Sequence, residues 1–73
     1  MAKQRENTRY AVVPILSGRF GDPIVTTDDA DEAKRTAETR AYDYYYGTAV
    51  IDHQTDTVDF GDRIVPLADA GIE

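Results

Sequence analysis

His53 is the residue best suited by type to proton transfer or metal binding, because it is the only histidine and lies between Asp52 and Gln54. A histidine beside a carboxylate can act as a general base or as a metal ligand. A nearby nucleophile is missing, since the chain has no cysteine and its one serine, Ser17, lies far away in sequence. We therefore expect no catalytic residues and a non-enzymatic protein, with His53 in a turn between two strands.

Asp52, Asp56 and Asp59 could offer oxygen ligands to a calcium ion, but their spacing does not match a calcium-binding loop. Zinc sites use several cysteines or histidines, and this chain has no cysteine and one histidine. Residues 17–22 contain two glycines and an arginine but lack the pattern of a phosphate-binding loop. The sequence therefore predicts no metal site and no cofactor.

Four of the five tyrosines lie within residues 42–46. On a helix through residue 46, Tyr42 and Tyr46 lean outward, Tyr45 flanks the core and Tyr44 faces it. Tyrosine is enriched at the energetically important positions of interfaces, so the outward rings indicate a binding surface. If the helix stops before them, alternate rings share one face of a strand and form a row suited to a dimer seam. A purely structural alternative is that the rings seal the end of the predicted core.

The chain is acidic, with a formal net charge of −6, and residues 41–62 include five aspartates but no lysine or arginine. Such a field can resemble a phosphate backbone and occupy the basic groove of a nucleic-acid-binding protein, whereas it opposes direct binding to nucleic acid. The alternative is a solvated surface that keeps a small protein soluble. The candidate partner-binding residues are Asp28, Asp29, Asp31, Glu32, Tyr42, Asp43, Tyr45 and Tyr46.

A single long helix is needed to position these residues. Asp29 and Glu32 have the spacing of a capping box, and the first turn is acidic, which favours a helix start near Thr27 or Asp28. Gly47 suits a C-terminal cap. Small residues and one tyrosine form a narrow stripe that can lie close to a sheet, namely Ala30, Ala33, Ala37, Ala41 and Tyr44.

Strands are predicted on both sides of this helix. Residues 10–16 and 19–25 form a first hairpin, in which Pro14 indicates an edge strand or a bulge because proline cannot donate to a sheet ladder. Residues 48–53 and 57–60 form a second hairpin, the latter with alternating polar and apolar side chains. The order β-β-α-β-β predicts an α+β fold, a two-layer sandwich in which one helix packs on one face of an antiparallel sheet of about four strands.

A chain of 73 residues allows one small domain with a small core. We expect a disordered polar tail over residues 1–8, a single domain over residues 9–65 and a frayed segment over residues 66–73. No apolar run is long enough to span a bilayer, and the polar start lacks the apolar core of a signal peptide. The expected location is therefore the cytoplasm, with no membrane partner.

These features favour a small acidic protein-binding module over an enzyme. Its concrete form would be an accessory or inhibitor protein of a phage or mobile element, a DNA mimic that docks on a basic partner through its acidic helix face and exposed tyrosines. The alternative is a structural homodimer, joined at the sheet edge near Pro14 or through a row of tyrosines, which would enlarge the small core.

Overall fold

The computed structural model describes residues 8–70 of the chain. Its strands are β1 (Tyr10–Leu16), β2 (Arg19–Phe20), β3 (Val25–Thr27), β4 (Thr48–Asp52), β5 (Thr57–Asp59) and β6 (Ile64–Pro66). The α-helix, α1, is Ala30–Arg40, and two short 3-10 helices follow at Ala41–Asp43 and Leu67–Asp69. Apart from Thr8, the predicted polar tail lies outside the described residues, as do residues 71–73.

All the strands pair antiparallel, in the order β2-β1-β4-β5-β6, and β3 also pairs with β1. The prediction of an α+β fold with one α-helix and an antiparallel sheet is confirmed. The described residues form six strands rather than about four, because the C-terminal part adds β6 and the second predicted strand is divided into β2 and β3. The sheet is also curled, so a simple two-layer sandwich is not confirmed.

The curl brings side chains from distant strands together on one face of the sheet. The ring centroids of Phe20 and Phe60 lie 6.4 Å apart, although β1 and β4 lie between β2, which contains Phe20, and β5, which Phe60 directly follows. This face holds the main core, which is filled by small and β-branched side chains, namely Ala11, Val13, Ala49 and Val58.

The C-terminal residues contribute to this core. Leu67 and Ala70 pack against it, and the Leu67 N–H donates to the Asp56 carbonyl at 2.8 Å. Residues 66–70 of the segment predicted to be frayed therefore lie within the fold.

The helix α1 packs on the opposite face of the sheet, against β1, β3 and β4. Ala33 and Val12 are almost fully buried where the two layers meet. The Thr48 hydroxyl donates to the Ala37 carbonyl at 2.7 Å and ties the helix to β4. The predicted alanine stripe is therefore correct at its centre, but Ala30 is exposed at the start of the helix.

The edge position predicted for Pro14 is wrong, because β1 has paired neighbours on both sides. The Gly21 N–H donates to the Pro14 carbonyl at 2.8 Å. In an antiparallel ladder the nitrogen and carbonyl of one residue point toward the same neighbour. The Pro14 nitrogen therefore faces the interruption between β2 and β3, where its missing N–H costs no ladder bond.

The helix ends before the tyrosines, as the second predicted alternative has it, but the strand which that alternative places through the rings does not form. The α-helix ends at Arg40, the 3-10 turn follows, and Tyr44 is extended, with φ −131° and ψ 137°. Gly47 has φ +83°, and β4 begins only at Thr48. Tyrosine is a mediocre helix former, which favours an early helix end. The tyrosines therefore lie on an irregular connection, not on a helix through residue 46 or in a strand.

Candidate partner-binding surface

The acidic residues at the start of α1 are held by helix capping. The Asp29 carboxylate accepts the backbone N–H of Asp31 at 2.9 Å and that of Glu32 at 3.3 Å. The Asp29 N–H donates to the Thr27 hydroxyl at 3.0 Å, and this hydroxyl donates to Glu32 at 2.8 Å. The predicted capping box is thus present in modified form, because Glu32 reaches Asp29 through Thr27 rather than directly.

Asp28 also has a structural partner, since it accepts the Arg9 N–H at 2.8 Å and links the helix start to β1. Asp28, Asp29 and Glu32 therefore all contribute to the fold. The Asp31 carboxylate accepts no hydrogen bond from any group within residues 8–70. All four carboxylates are nevertheless exposed and available to a partner.

The candidate residues after α1 form an exposed aromatic surface. Tyr42 and Tyr45 are each 93% exposed and Tyr46 is 56% exposed, whereas Tyr44 is half-buried. The Tyr45 and Tyr46 rings meet edge to face, with centroids 4.8 Å apart. These three large side chains therefore add little to the described core.

Asp43 lies among these rings and is paired with Arg40. The Arg40 Nε donates to the Asp43 carboxylate at 2.7 Å, three residues along the chain. This hydrogen bond raises the pKa of Arg40 above its ordinary value. The ion pair reduces the local negative charge, so the tyrosine end of α1 is less acidic than its first turn.

The structure does not bring the two groups of candidate residues into one cluster. One group lies at each end of α1, and a helix of 11 residues is about 16 Å long at 1.5 Å per residue. Two adjoining depressions, which share Lys34, Val50 and Asp59 in their linings, form a groove beside the helix that extends from Asp31 to Ala41. We call it the α1 groove; it is lined by residues of the helix and of the sheet face beside it, including Asp31, Lys34, Ala37, Glu38, Val50 and Asp59.

Of these lining residues, only Asp31 was a candidate from the sequence. The alternation of Thr57, Val58 and Asp59 could have indicated that Asp59 faces away from the core. The pairing of Val50 with Asp59 places both on the face that α1 partly covers. The sequence did not indicate the groove, because its lining residues are far apart in the chain.

Asp52 forms the most extensive polar contact of the sheet. The Arg9 Nε and Nη2 each donate to its carboxylate at 3.0 Å, and the backbone N–H groups of Gln54 and Thr55 donate to it as well. The Arg9 hydrogen bond is the main reason that the pKa of Asp52 is lowered to about 2. Asp52 is therefore a structural carboxylate that closes the β4–β5 turn.

His53 lies exposed in this turn, as predicted. The backbone N–H of His53 donates to the Arg9 carbonyl at 2.8 Å. Asp56, at the end of the turn, adopts a positive φ of 56°. Within the described part of the chain, no group of three His, Asp or Glu side chains is placed to hold a metal ion. The residues of this segment serve to form the turn.

No protein-family model matches the chain, and no significant match was found among curated proteins or among solved structures. Within residues 8–70, no helix combines the length and apolar character needed to cross a bilayer.

Proposed function

We propose that this chain is a small non-enzymatic module that binds a basic protein through the outward acids of α1 and the tyrosines that follow it. The observation that carries the proposal is the exposure of Tyr42 and Tyr45, each 93% exposed. Aromatic side chains cover a large contact area at a modest cost in conformational entropy, and they dominate many interfaces. Rings that face solvent gain little from the core of their own chain, so a partner best explains their placement.

The charge of the surface supports a basic partner. The chain has a formal net charge of −6, and within residues 8–70 the ion pairs are Arg9–Asp52 and Arg40–Asp43. Most carboxylates therefore remain uncompensated, and they attract positive proteins over the range of a Debye length. In its narrowest form, the proposal is an inhibitor that covers the nucleic-acid-binding surface of its target, as a phage or mobile element would use.

Of the two interfaces expected for a homodimer, the sheet edge near Pro14 is not present in the structure. β1 is paired on both sides, so it offers no edge at Pro14. A dimer through the exposed tyrosines is still compatible with the geometry, although two copies with the same negative charge repel each other. Sedimentation of the chain at high micromolar concentration separates the alternatives, because a strict monomer would contradict the dimer.

The direct test is calorimetric titration against a panel of purified basic nucleic-acid-binding proteins. We expect binding at low salt that weakens as salt is added, together with a loss of affinity in the Tyr42→Ala/Tyr45→Ala variant. His53→Ala is the matched control, because it also truncates an exposed ring at a different site. Absence of binding across the panel, or binding that ignores both salt and the tyrosine substitutions, would contradict the proposal.

A further inference from the structure

The α1 groove exists because the helix covers only part of its sheet face. α1 packs on β1, β3 and β4, and β5 and β6 extend the same sheet beyond it. The pairings of Val50 with Asp59 and of Asp59 with Ile64 place these three side chains on one face, beside the helix. The groove starts at Asp31 and ends at Ala41, directly before Tyr42.

The groove combines apolar and acidic surface. Its apolar side chains include Val50 and Ile64, and Ile64 is 66% exposed. Its carboxylates outside the ion pairs are those of Asp31, Glu38 and Asp59, of which Asp59 also accepts the Gly61 N–H. Lys34 is the one cationic side chain among these lining residues. Asp52 also lines it, but Arg9 neutralises that carboxylate.

We infer that the α1 groove is the docking site for an extended segment of the basic partner, in which lysine or arginine alternates with apolar residues. This inference rests on the proposed function and identifies the part of the partner that is recognised. In an extended segment, successive side chains point to opposite sides, so one set faces the helix, with Asp31 and Glu38, and the other faces the sheet, where Asp59 lies between Val50 and Ile64.

The length of the groove sets the length of the segment. The helix beside it is about 16 Å long at 1.5 Å per residue, and an extended chain advances about 3.3 Å per residue. About five residues therefore fit between Asp31 and Ala41. A longer segment would extend beyond Ala41, which Tyr42 directly follows in the chain.

Charge complementarity selects this occupant over two others. A second copy of the chain carries the same net charge of −6, which opposes its approach to the groove. A nucleic acid would place its phosphates against Asp31, Glu38 and Asp59, which repel them. A basic segment instead forms new ion pairs there while it covers exposed Ile64.

The test is fluorescence anisotropy with a labelled seven-residue peptide of alternating arginine and leucine. We expect the Asp31→Asn/Asp59→Asn variant to bind it roughly fivefold to tenfold more weakly than the wild type, as two partly exposed ion pairs are lost. The substitution Asp59→Asn retains a side-chain oxygen that can accept the Gly61 N–H, so the turn after β5 is preserved. The matched control, Asp22→Asn/Asp69→Asn, changes the net charge equally at exposed positions outside the groove.

The outcomes separate this inference from the proposed function. Equal losses of peptide affinity in the groove variant and the control would show that the peptide binds by overall charge alone. This result would overturn the groove as the docking site but would not contradict a basic partner. Absence of peptide binding, while basic proteins still bind, would also overturn the groove. Absence of binding to the peptide and to the basic proteins alike would contradict the proposed function itself. Competition by a single-stranded oligonucleotide for the same groove would overturn the choice of a protein segment.

Discussion

The Arg9 guanidinium meets the Asp52 carboxylate with two hydrogen bonds of 3.0 Å each, and so joins the start of β1 to the end of β4. Tyr10 and Asp52 are directly paired across these strands, which places Arg9 beside the carboxylate. A bidentate arginine–carboxylate pair has a defined geometry and is stronger than a single contact. The pair therefore holds together the two central strands at the end where the β4–β5 turn begins.

This pair predicts how stability depends on pH. The folded pKa of Asp52 is lowered to about 2, so the carboxylate stabilises the fold above its ordinary pKa, and this contribution is lost as pH falls from about 5 to 2. We expect Asp52→Asn to lower the free energy of unfolding by about 1 kcal/mol at pH 6, after allowance for solvent screening, and by almost nothing at pH 2. Urea denaturation across this pH range measures the difference. Asp69→Asn is the control, and a difference that persists at pH 2 would contradict the assignment.

The contact between Pro14 and Gly21 predicts a steric cost. A Cβ added to Gly21 would lie 2.8 Å from the Pro14 Cγ and 3.1 Å from the Leu16 Cδ1. Because the proline ring is stiff and its strand is central, we expect Gly21→Ala to destabilise the fold by about 1–3 kcal/mol. Chemical denaturation of both single variants and of the double variant Pro14→Ala/Gly21→Ala tests this contact. Strictly additive effects would show that the proline ring is not the obstacle.

The helix cap predicts that two substitutions of Asp29 differ in their cost to stability. Its carboxylate accepts two backbone N–H groups, so Asp29→Ala should cost about 1 kcal/mol of unfolding free energy. Asp29→Asn retains an oxygen acceptor and should cost less. Thermal unfolding followed by circular dichroism compares the two. Equal losses in both variants would mean that charge, rather than capping, is the source of the stability.

The tyrosines predict a separation of stability from binding. Tyr42→Ala and Tyr45→Ala remove highly exposed rings and should change the free energy of unfolding by less than about 0.5 kcal/mol. Tyr44→Ala removes a half-buried ring and should cost more. Denaturant unfolding of the three variants tests the order. A large loss at Tyr42 or Tyr45 would show that these rings support the fold.

Local chemistry made several elements predictable. The spacing of Asp29 and Glu32 indicated where the helix begins, because capping depends on residues three apart in the chain. The alternation around Val58 indicated a half-buried strand, since side chains in a strand point alternately to its two faces. The acidity and the tyrosine cluster were visible in the same way, as they are properties of composition.

Contacts between distant residues were not predictable in this way. Pro14 indicated an edge strand or a bulge. β1 is central, and the proline is tolerated there because its missing N–H faces the break between β2 and β3. The connection through the tyrosines ends at Gly47, which has a positive φ, and the next residue, Thr48, pairs with Pro14 far earlier in the chain. The local sequence around the tyrosines does not show this pairing.

The sequence by itself determined an acidic α+β domain with one capped helix and a tyrosine cluster, because capping, strand alternation and charge depend on residues that are close in the chain. Only the tertiary structure decided which rings are exposed, that the sheet curls until Phe20 meets Phe60, and that Asp31, Val50 and Asp59 line one groove. Such relationships arise from strand register and from helix packing, which couple residues tens of positions apart.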